Sequence, residues 1–330
     1  MGSPRRIRRK ELKMKIDAFA HIMPEKYLSM YRKKVPAIES QVEVRTPPVV
    51  DLDIRFRLMD RYPDVLQMIT VANVPLEKNV SPQDAIELAR ISNDELADLV
   101  VRYPNRFFGG VANLPMNDMD AALAETDRAI TELKLKGVQI FSRVAGEPLD
   151  TPKFRPLFKK MAEYDLPIWI HPATYEGGDM LPNSRAPFDI GIFSWPFETT
   201  SAMYRLVKAG IFVEFPDLKI IVHHAGAMVP FFRERIKWVM SLVPQPYKNL
   251  HEHFRKFYVD TAVYGSTPSL TCAYEYFGAD HMLFGTDAPL GPRWGMVEET
   301  IASIERMAVP DEEKVKILKG NAIELFRDTL

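Results

Sequence analysis

The alternation of apolar runs with helical segments predicts an α/β chain folded as a single-domain (β/α)8 TIM barrel, with a long insertion after its first strand. Three observations carry this. Eight strand-like runs are spaced along the chain, most of them separated by stretches of helical periodicity. Four of the runs lead into a polar residue able to do chemistry: His21, His171, His224 and Asp287. The turn after the first run, His21-Ile22-Met23-Pro24, lacks the glycine-rich fingerprint of a dinucleotide-binding sheet. An open, doubly wound sheet is the alternative, because a pattern of elements does not display closure.

Bulk composition narrows the function classes. A chain of 330 residues that is 46% hydrophobic and 26% charged can bury a large core. A net charge of -1 gives no global electrostatic case for nucleic acid or a membrane surface as partner. The basic run Arg5-Arg6-Ile7-Arg8-Arg9-Lys10 reads as a solvated tail over 1–13, leaving 14–330 as the barrel. No apolar signal region follows it, and no apolar run reaches membrane-spanning length. One cysteine, Cys272, excludes an internal disulfide and a thiolate cluster, so a cytoplasmic protein is expected.

In chain order, Met14 to Ala20 predicts the first strand, with Asp17, Phe19 and His21 on one face by the two-residue period. Residues 22–54 are poorly periodic and proline-rich, an excursion of the kind that often carries specificity. A short helix over 55–62 leads to a second strand over 65–72. Ser81 caps a long amphipathic helix from Pro82 to Tyr103, with Pro82 at a first position that needs no N–H. A third strand over 107–114, a helix over 118–133 and a fourth strand over 137–142 follow. A helix over 154–164 precedes the fifth strand, Pro167 to His171. The Gly/Pro-rich loop 172–196 is a candidate pocket wall, and a helix is expected over 198–209. Strands six, seven and eight are expected over 218–223, 257–262 and 282–286, with helices over 230–242 and 268–277. Helices over 296–307 and 311–325 close the chain.

In a barrel, all strands end at one mouth, so His21, His171, His224 and Asp287 converge despite their separation in sequence. A carboxylate at the end of the apolar run His281 to Phe284 is costly to bury without a partner. Two neutral imidazoles and a carboxylate suit a borderline cation with a position left for water or substrate. A lone strand-end histidine is more often a satisfied polar residue than a ligand. Three such histidines among only seven, joined by Asp287, favour a site. His223 alternates with His224, faces the other way and is assigned to packing or support. Asp17 reads equally as an orienting group or a backbone-bonded carboxylate. His251, His253 and His281 are expected at the surface.

The same residues carry a resemblance. Lys15-Ile16-Asp17, Ile170-His171-Pro172, Trp195-Pro196-Phe197-Glu198-Thr199 and Phe215-Pro216-Asp217-Leu218-Lys219-Ile220 occur in order with His224-Ala225-Gly226-Ala227, Phe257 to Ala262 and Gly285-Thr286-Asp287-Ala288-Pro289. From Met14 to about Phe326 the chain resembles the family of 2-amino-3-carboxymuconate-6-semialdehyde decarboxylase and gamma-resorcylate decarboxylase, within the amidohydrolase superfamily. The resemblance implies one divalent metal, zinc first and manganese second, on His21, His171 and Asp287, with His224 as the catalytic histidine. It also implies a homo-oligomer, with a dimer expected. In that family the first strand usually ends His-x-His or Glu-x-His. Here the pair is Phe19-Ala20-His21, and a phenyl ring cannot bind the cation. Three outcomes follow: three protein ligands plus water, a ligand recruited from elsewhere, or loss of the metal.

The function so implied is non-oxidative decarboxylation of a small unsaturated or hydroxylated aromatic carboxylic acid, with His224 and Asp287 handling protons. Arg45 and Arg55 are candidate counter-charges for the substrate, although solvated surface arginines are the plainer reading. Phe188, Phe193 and Trp195 are candidates for an aromatic wall. The alternatives are a metal-dependent hydrolase of a lactone or amide, and a degenerate barrel that only binds, which Phe19 alone supports.

Overall fold

The computed structural model describes residues 14–72, 75–173, 189–242 and 247–326. Among these, eight parallel strands form the scaffold: β1 (Lys15–Ile22), β2 (Val65–Val71), β3 (Phe107–Gly110, resuming at Ala112–Asn113), β4 (Val138–Phe141), β5 (Ile168–His171), β6 (Ile220–Val222), β7 (Tyr258–Asp260) and β8 (Met282–Leu283). The first part of β3 pairs with β2 and the second with β4, so the break at Val111 joins two partial sheets. From β4 the order runs β5, β6, β7, β8. The ring closes between β8 and β1: Ala18 N donates to Phe284 O at 2.7 Å, Asp287 N to Phe19 O at 3.0 Å and His21 N to Ala288 O at 2.7 Å. This closure is what separates the barrel from the doubly wound alternative.

The interior is filled in layers, as barrel geometry requires. Ile16, Ala18, Phe19, Met68, Val111, Trp169, Ile221 and Leu283 form one buried cluster inside the ring. Its amino-terminal end is plugged by Ala322, Leu325 and Phe326, with Phe326 stacked on Trp169 at 5.3 Å. Only the carboxyl-terminal end is left for a site.

Helices pack outside the ring. Helix Pro82–Arg102 starts as expected, with Ser81 Oγ accepting from Asp84 N at 3.2 Å, and Asp118 caps helix Met119–Thr131 in the same way. Three regions differ from the periodicity. The excursion after β1 is helical: Glu25–Lys34, then one-turn pieces Pro36–Ser40, Val42–Arg45 and Pro47–Val50, and then Leu52–Met59. Pieces of four or five residues, restarted at Pro36 and Pro47, are too short to display a helical period. Helix Asp189–Lys208 runs through Pro196, whose carbonyl accepts from Thr200 Oγ1 at 2.7 Å. The last helix divides into Asp311–Val315, a π turn Lys316–Gly320 and Asn321–Leu325, and Ile317 O accepts from Phe284 N at 2.8 Å. Strand β8 is shorter than expected because the Thr261 hydroxyl, not a strand, bonds Gly285 N (3.1 Å) and Gly285 O (3.0 Å).

A β-bulge reorders the first strand. Asp17 pairs with Gln67, but Ala20 pairs with Ile69, so one extra residue sits between them on β1. Ala18 and Phe19 consequently both join the interior cluster, and Asp17 leaves the face it was expected to share with Phe19 and His21. On the outer side, Asp17 Oδ2 accepts from Thr286 Oγ1 at 2.6 Å and Oδ1 from Thr286 N at 3.0 Å, pinning β1 to the segment after β8. Arg55 also belongs to this outer layer rather than to an open pocket. It is 1% exposed, and its guanidinium donates to His21 O (2.5 Å), Pro48 O (3.4 Å) and Gln67 Oε1 (2.7 Å).

Two stability predictions follow from this layer. Burial raises the Asp17 carboxyl to about 7, against the opposing bonds from Thr286 and Phe19 N. The unfolded carboxyl titrates near ~3.9, so the fold binds the extra proton between the two values, and stability falls as pH climbs through that window. Urea unfolding of Asp17→Asn against the parent at pH 5, 6, 7 and 8 should show the parent losing about 2–3 kcal/mol more than the variant; parallel profiles would refute it. Replacing Arg55 with Met strands three buried carbonyl acceptors and should cost about 2–3 kcal/mol in the same assay.

Candidate metal and proton-transfer site

The strand ends bring His21, His171, His223 and Asp287 to one layer above Phe19. His21 is fully buried, with Nδ1 2.9 Å from Thr70 Oγ1. Its Nε2 lies 3.0 Å from Asp287 Oδ1, yet no hydrogen bond is aligned to it. His171 Nδ1 is 2.9 Å from Pro172 O; a carbonyl only accepts, so Nδ1 carries the hydrogen and Nε2 keeps its lone pair. The His21 and His171 ring centroids are 5.4 Å apart. Phe19 is the floor: its ring stacks on His223 at 3.5 Å and lies 4.5 Å from His21 and 5.9 Å from His171.

The two adjacent histidines that follow β6 divide between inside and rim, and His223, expected to face away in a packing role, is the inward one. Ile221 points into the barrel, so His223 does too; it is fully buried, with Nδ1 2.7 Å from Asp260 Oδ2 and Nε2 without a partner. Asp260 fixes both neighbours, because its Oδ1 accepts from His224 N at 2.8 Å and from Ala262 N at 3.0 Å. The approach of Asp260 to the last strand requires Gly285, where an added Cβ would stand 2.8 Å from Asp260 Cβ and 3.3 Å from Phe19 Cβ. His224 sits half-buried at the rim with its ring parallel to Trp195, centroids 6.5 Å apart. Burial, reinforced by neighbouring imidazoles, holds His171 and His223 well below the ordinary imidazole value, so both are neutral donors. Burial likewise raises Asp260 to about 6.

The remaining sequence candidates scatter. Trp195 is half-buried beside His171 and His224, with ring centroids at 6.4 and 6.5 Å, whereas Phe193 is 49% exposed. Phe188 and the tail over 1–13 lie outside the described residues. Arg45 is exposed and its Nε donates to Glu39 O at 3.0 Å, a local contact within the excursion. Arg55 is consumed in the outer layer described above. His251, His253 and His281 are half-buried rather than fully at the surface, and His281 stacks on Tyr258 at 4.6 Å.

Three groups were not singled out from sequence. Asp260 carried the available signal, a carboxylate ending an apolar run, as Asp287 does. Glu198, 1% exposed, accepts from Ser142 Oγ at 3.1 Å and Arg143 Nε at 2.9 Å, fixing the end of β4 against helix Asp189–Lys208. Glu43, 4% exposed, has Oε2 unpartnered; burial raises its pKa, its own backbone and His21 oppose that, and Asp287 adds to it. Nothing in the aperiodic excursion marked Glu43 in advance.

Among the described residues no three His, Cys, Asp or Glu side chains form a ready-made cage for a metal ion. The donor chemistry nevertheless fits one. Buried imidazoles and a carboxylate face one another across a small space, and His21 Nε2 is buried beside Asp287 Oδ1 without a hydrogen bond.

The chain is similar to known proteins over most of its length. The sequence profile of the amidohydrolase family matches residues 16–327. The chain is 31% identical to the 2-amino-3-carboxymuconate-6-semialdehyde decarboxylase of Dictyostelium discoideum, over 84% of this chain and 76% of that one. It is 31% identical to the gamma-resorcylate decarboxylase of Rhizobium sp. strain MTP-10005, over 83% and 86% of the two chains. A crystal structure of a dihydroxybenzoic acid decarboxylase from Polaromonas sp. JS666, with bound manganese and the inhibitor 2-nitroresorcinol, superposes with a TM-score of 0.75. The two are 26% identical, and the match covers 95% of this chain and 97% of that one. With the closed parallel barrel and the polar layer at its mouth, these matches show that the chain belongs to the amidohydrolase family.

Proposed function

We propose that this chain is a divalent-metal-dependent, non-oxidative decarboxylase of a small hydroxylated aromatic or unsaturated carboxylic acid. The observation that carries the reading is the convergence of His21, His171 and Asp287 at the barrel mouth, with His224 at its rim. The similarity to decarboxylases over most of the chain supports it. His21, His171 and Asp287 would hold the cation, with manganese and zinc both suited to the donor set. When bound, the cation supplies positive charge for the acid's carboxylate and neighbouring oxygen.

The chain's own residues handle the rest. The substrate ring lies against Trp195, and Phe19 keeps water from the floor of the site. A proton held at the rim by His224 goes to the ring carbon that bears the carboxylate. The C–C bond then breaks, its electron pair restores the conjugated system, and carbon dioxide leaves. One proton is consumed and one carbon dioxide released, with no redox change. The protein works as a cytoplasmic homo-oligomer, a dimer on family resemblance. Among the described residues no helix is long and apolar enough to cross a membrane.

Incubation with hydroxybenzoates such as 2,6-dihydroxybenzoate should release carbon dioxide in one-to-one ratio with the decarboxylated phenol. Consumption of a lactone or amide with water added, and no carbon dioxide from any acid, would make the chain a hydrolase instead. His224→Ala should lower kcat by about 10²–10⁴-fold, the usual contribution of positioned acid–base assistance, at unchanged thermal midpoint. A loss below tenfold removes His224 from proton transfer.

A further inference from the structure

The first strand offers one imidazole where a pair is expected, since Phe19 occupies the earlier inward position. The ring facing Phe19 across the barrel, stacked on it at 3.5 Å and 19°, is that of His223. Stacking occupies the face of an imidazole and leaves its edge free. The edge of His223 is prepared in the manner of a metal ligand: a buried carboxylate oxygen, Asp260 Oδ2, takes the Nδ1 hydrogen at 2.7 Å and so leaves the lone pair on Nε2. That Nε2 is buried and without a hydrogen-bond partner, a costly arrangement for a polar atom. His223 and His171 have ring centroids 5.5 Å apart, close to the 5.4 Å between His171 and His21.

We infer that His223 is a ligand of the divalent cation, replacing from β6 the imidazole that β1 lacks at Phe19, with Asp260 as its positioning residue. The donor set is then His21, His171, His223 and Asp287. His223 and His224 have separate tasks: the first holds the metal from inside the barrel, the second handles the proton at the rim. The inference rests on the metal-centre reading given above.

Its test reads metal rather than turnover. The purified full-length chain is titrated with manganese(II) by calorimetry, alongside His223→Ala, His224→Ala and the double variant Phe19→His/His223→Ala. Circular dichroism checks that each is folded. His223→Ala should weaken manganese binding by at least about 100-fold, while His224→Ala binds as the parent does. The double variant should recover most of the loss. Unweakened binding by folded His223→Ala overturns the inference while leaving a metal centre in place. Pulsed electron paramagnetic resonance of the copper(II)-loaded parent needs no variant: three coupled imidazoles support the assignment and two overturn it. A parent chain that binds neither manganese nor zinc overturns the metal-centre reading itself, and the His223 assignment with it.

Discussion

The seam between the first and last strands sets the position of everything at the mouth. Backbone bonds from Ala18, His21 and Asp287 close the ring, and Asp17 clamps Thr286 with both carboxylate oxygens from outside. Asp287 follows Thr286 directly and His21 lies on the strand that Asp17 clamps, so the clamp brings His21 Nε2 to 3.0 Å from Asp287 Oδ1. The bulge after Asp17 makes both ends of this arrangement possible. Without it, Asp17 and His21 would share a face, and the two side chains would compete for the interior.

Much of this was legible in the sequence, for a definable reason. A parallel strand buried on both faces is an almost continuous apolar run, so a histidine or aspartate at its end stands out against its surroundings. That contrast marked His21, His171, His224 and Asp287, and it marked Asp260 equally well, although no role was attached there. The excursion after β1 was not legible as helix, because one-turn pieces restarted at prolines carry no period. Arg55 illustrates a different limit. An arginine in a short helix reads as solvated, and only the packed structure reveals three buried oxygens waiting for it. The bulge was hidden as well, since Lys15 to Ile22 alternates no differently with it than without it. That single extra residue moved Asp17 from the expected interior face to the outside.

Alternation assigned His223 to packing and His224 to the site, but the structure puts His223 inside and His224 at the rim. The two-residue period says that adjacent side chains oppose one another; it does not say which one faces the barrel axis. Ile221 decides it, because it belongs to the interior cluster and His223 is two residues further along. Once His223 is inside, its neighbours explain how a buried imidazole is tolerated. Its Nδ1 is bonded to Asp260, its face lies on Phe19, and burial keeps it neutral.

Phe19 then has a physical role beyond the absence of a ligand. A histidine at that position would bring one more polar edge into a layer that already contains His21, His171, His223 and Asp287. Each polar edge without a partner would cost desolvation that the barrel interior cannot return. A phenyl ring brings none and covers the face of His223, limiting the directions in which that imidazole can turn. The chain thus presents an inward polar edge from His223, just after β6, and an apolar ring from Phe19 on β1. This arrangement has an anchor on β7, where Asp260 holds His223 and the backbone of His224 together, and a glycine on the segment after β8 that leaves room for it. Phe19, His223, Asp260 and Gly285 are therefore one packing solution rather than four separate features, and a change at any one of them is felt at the other three.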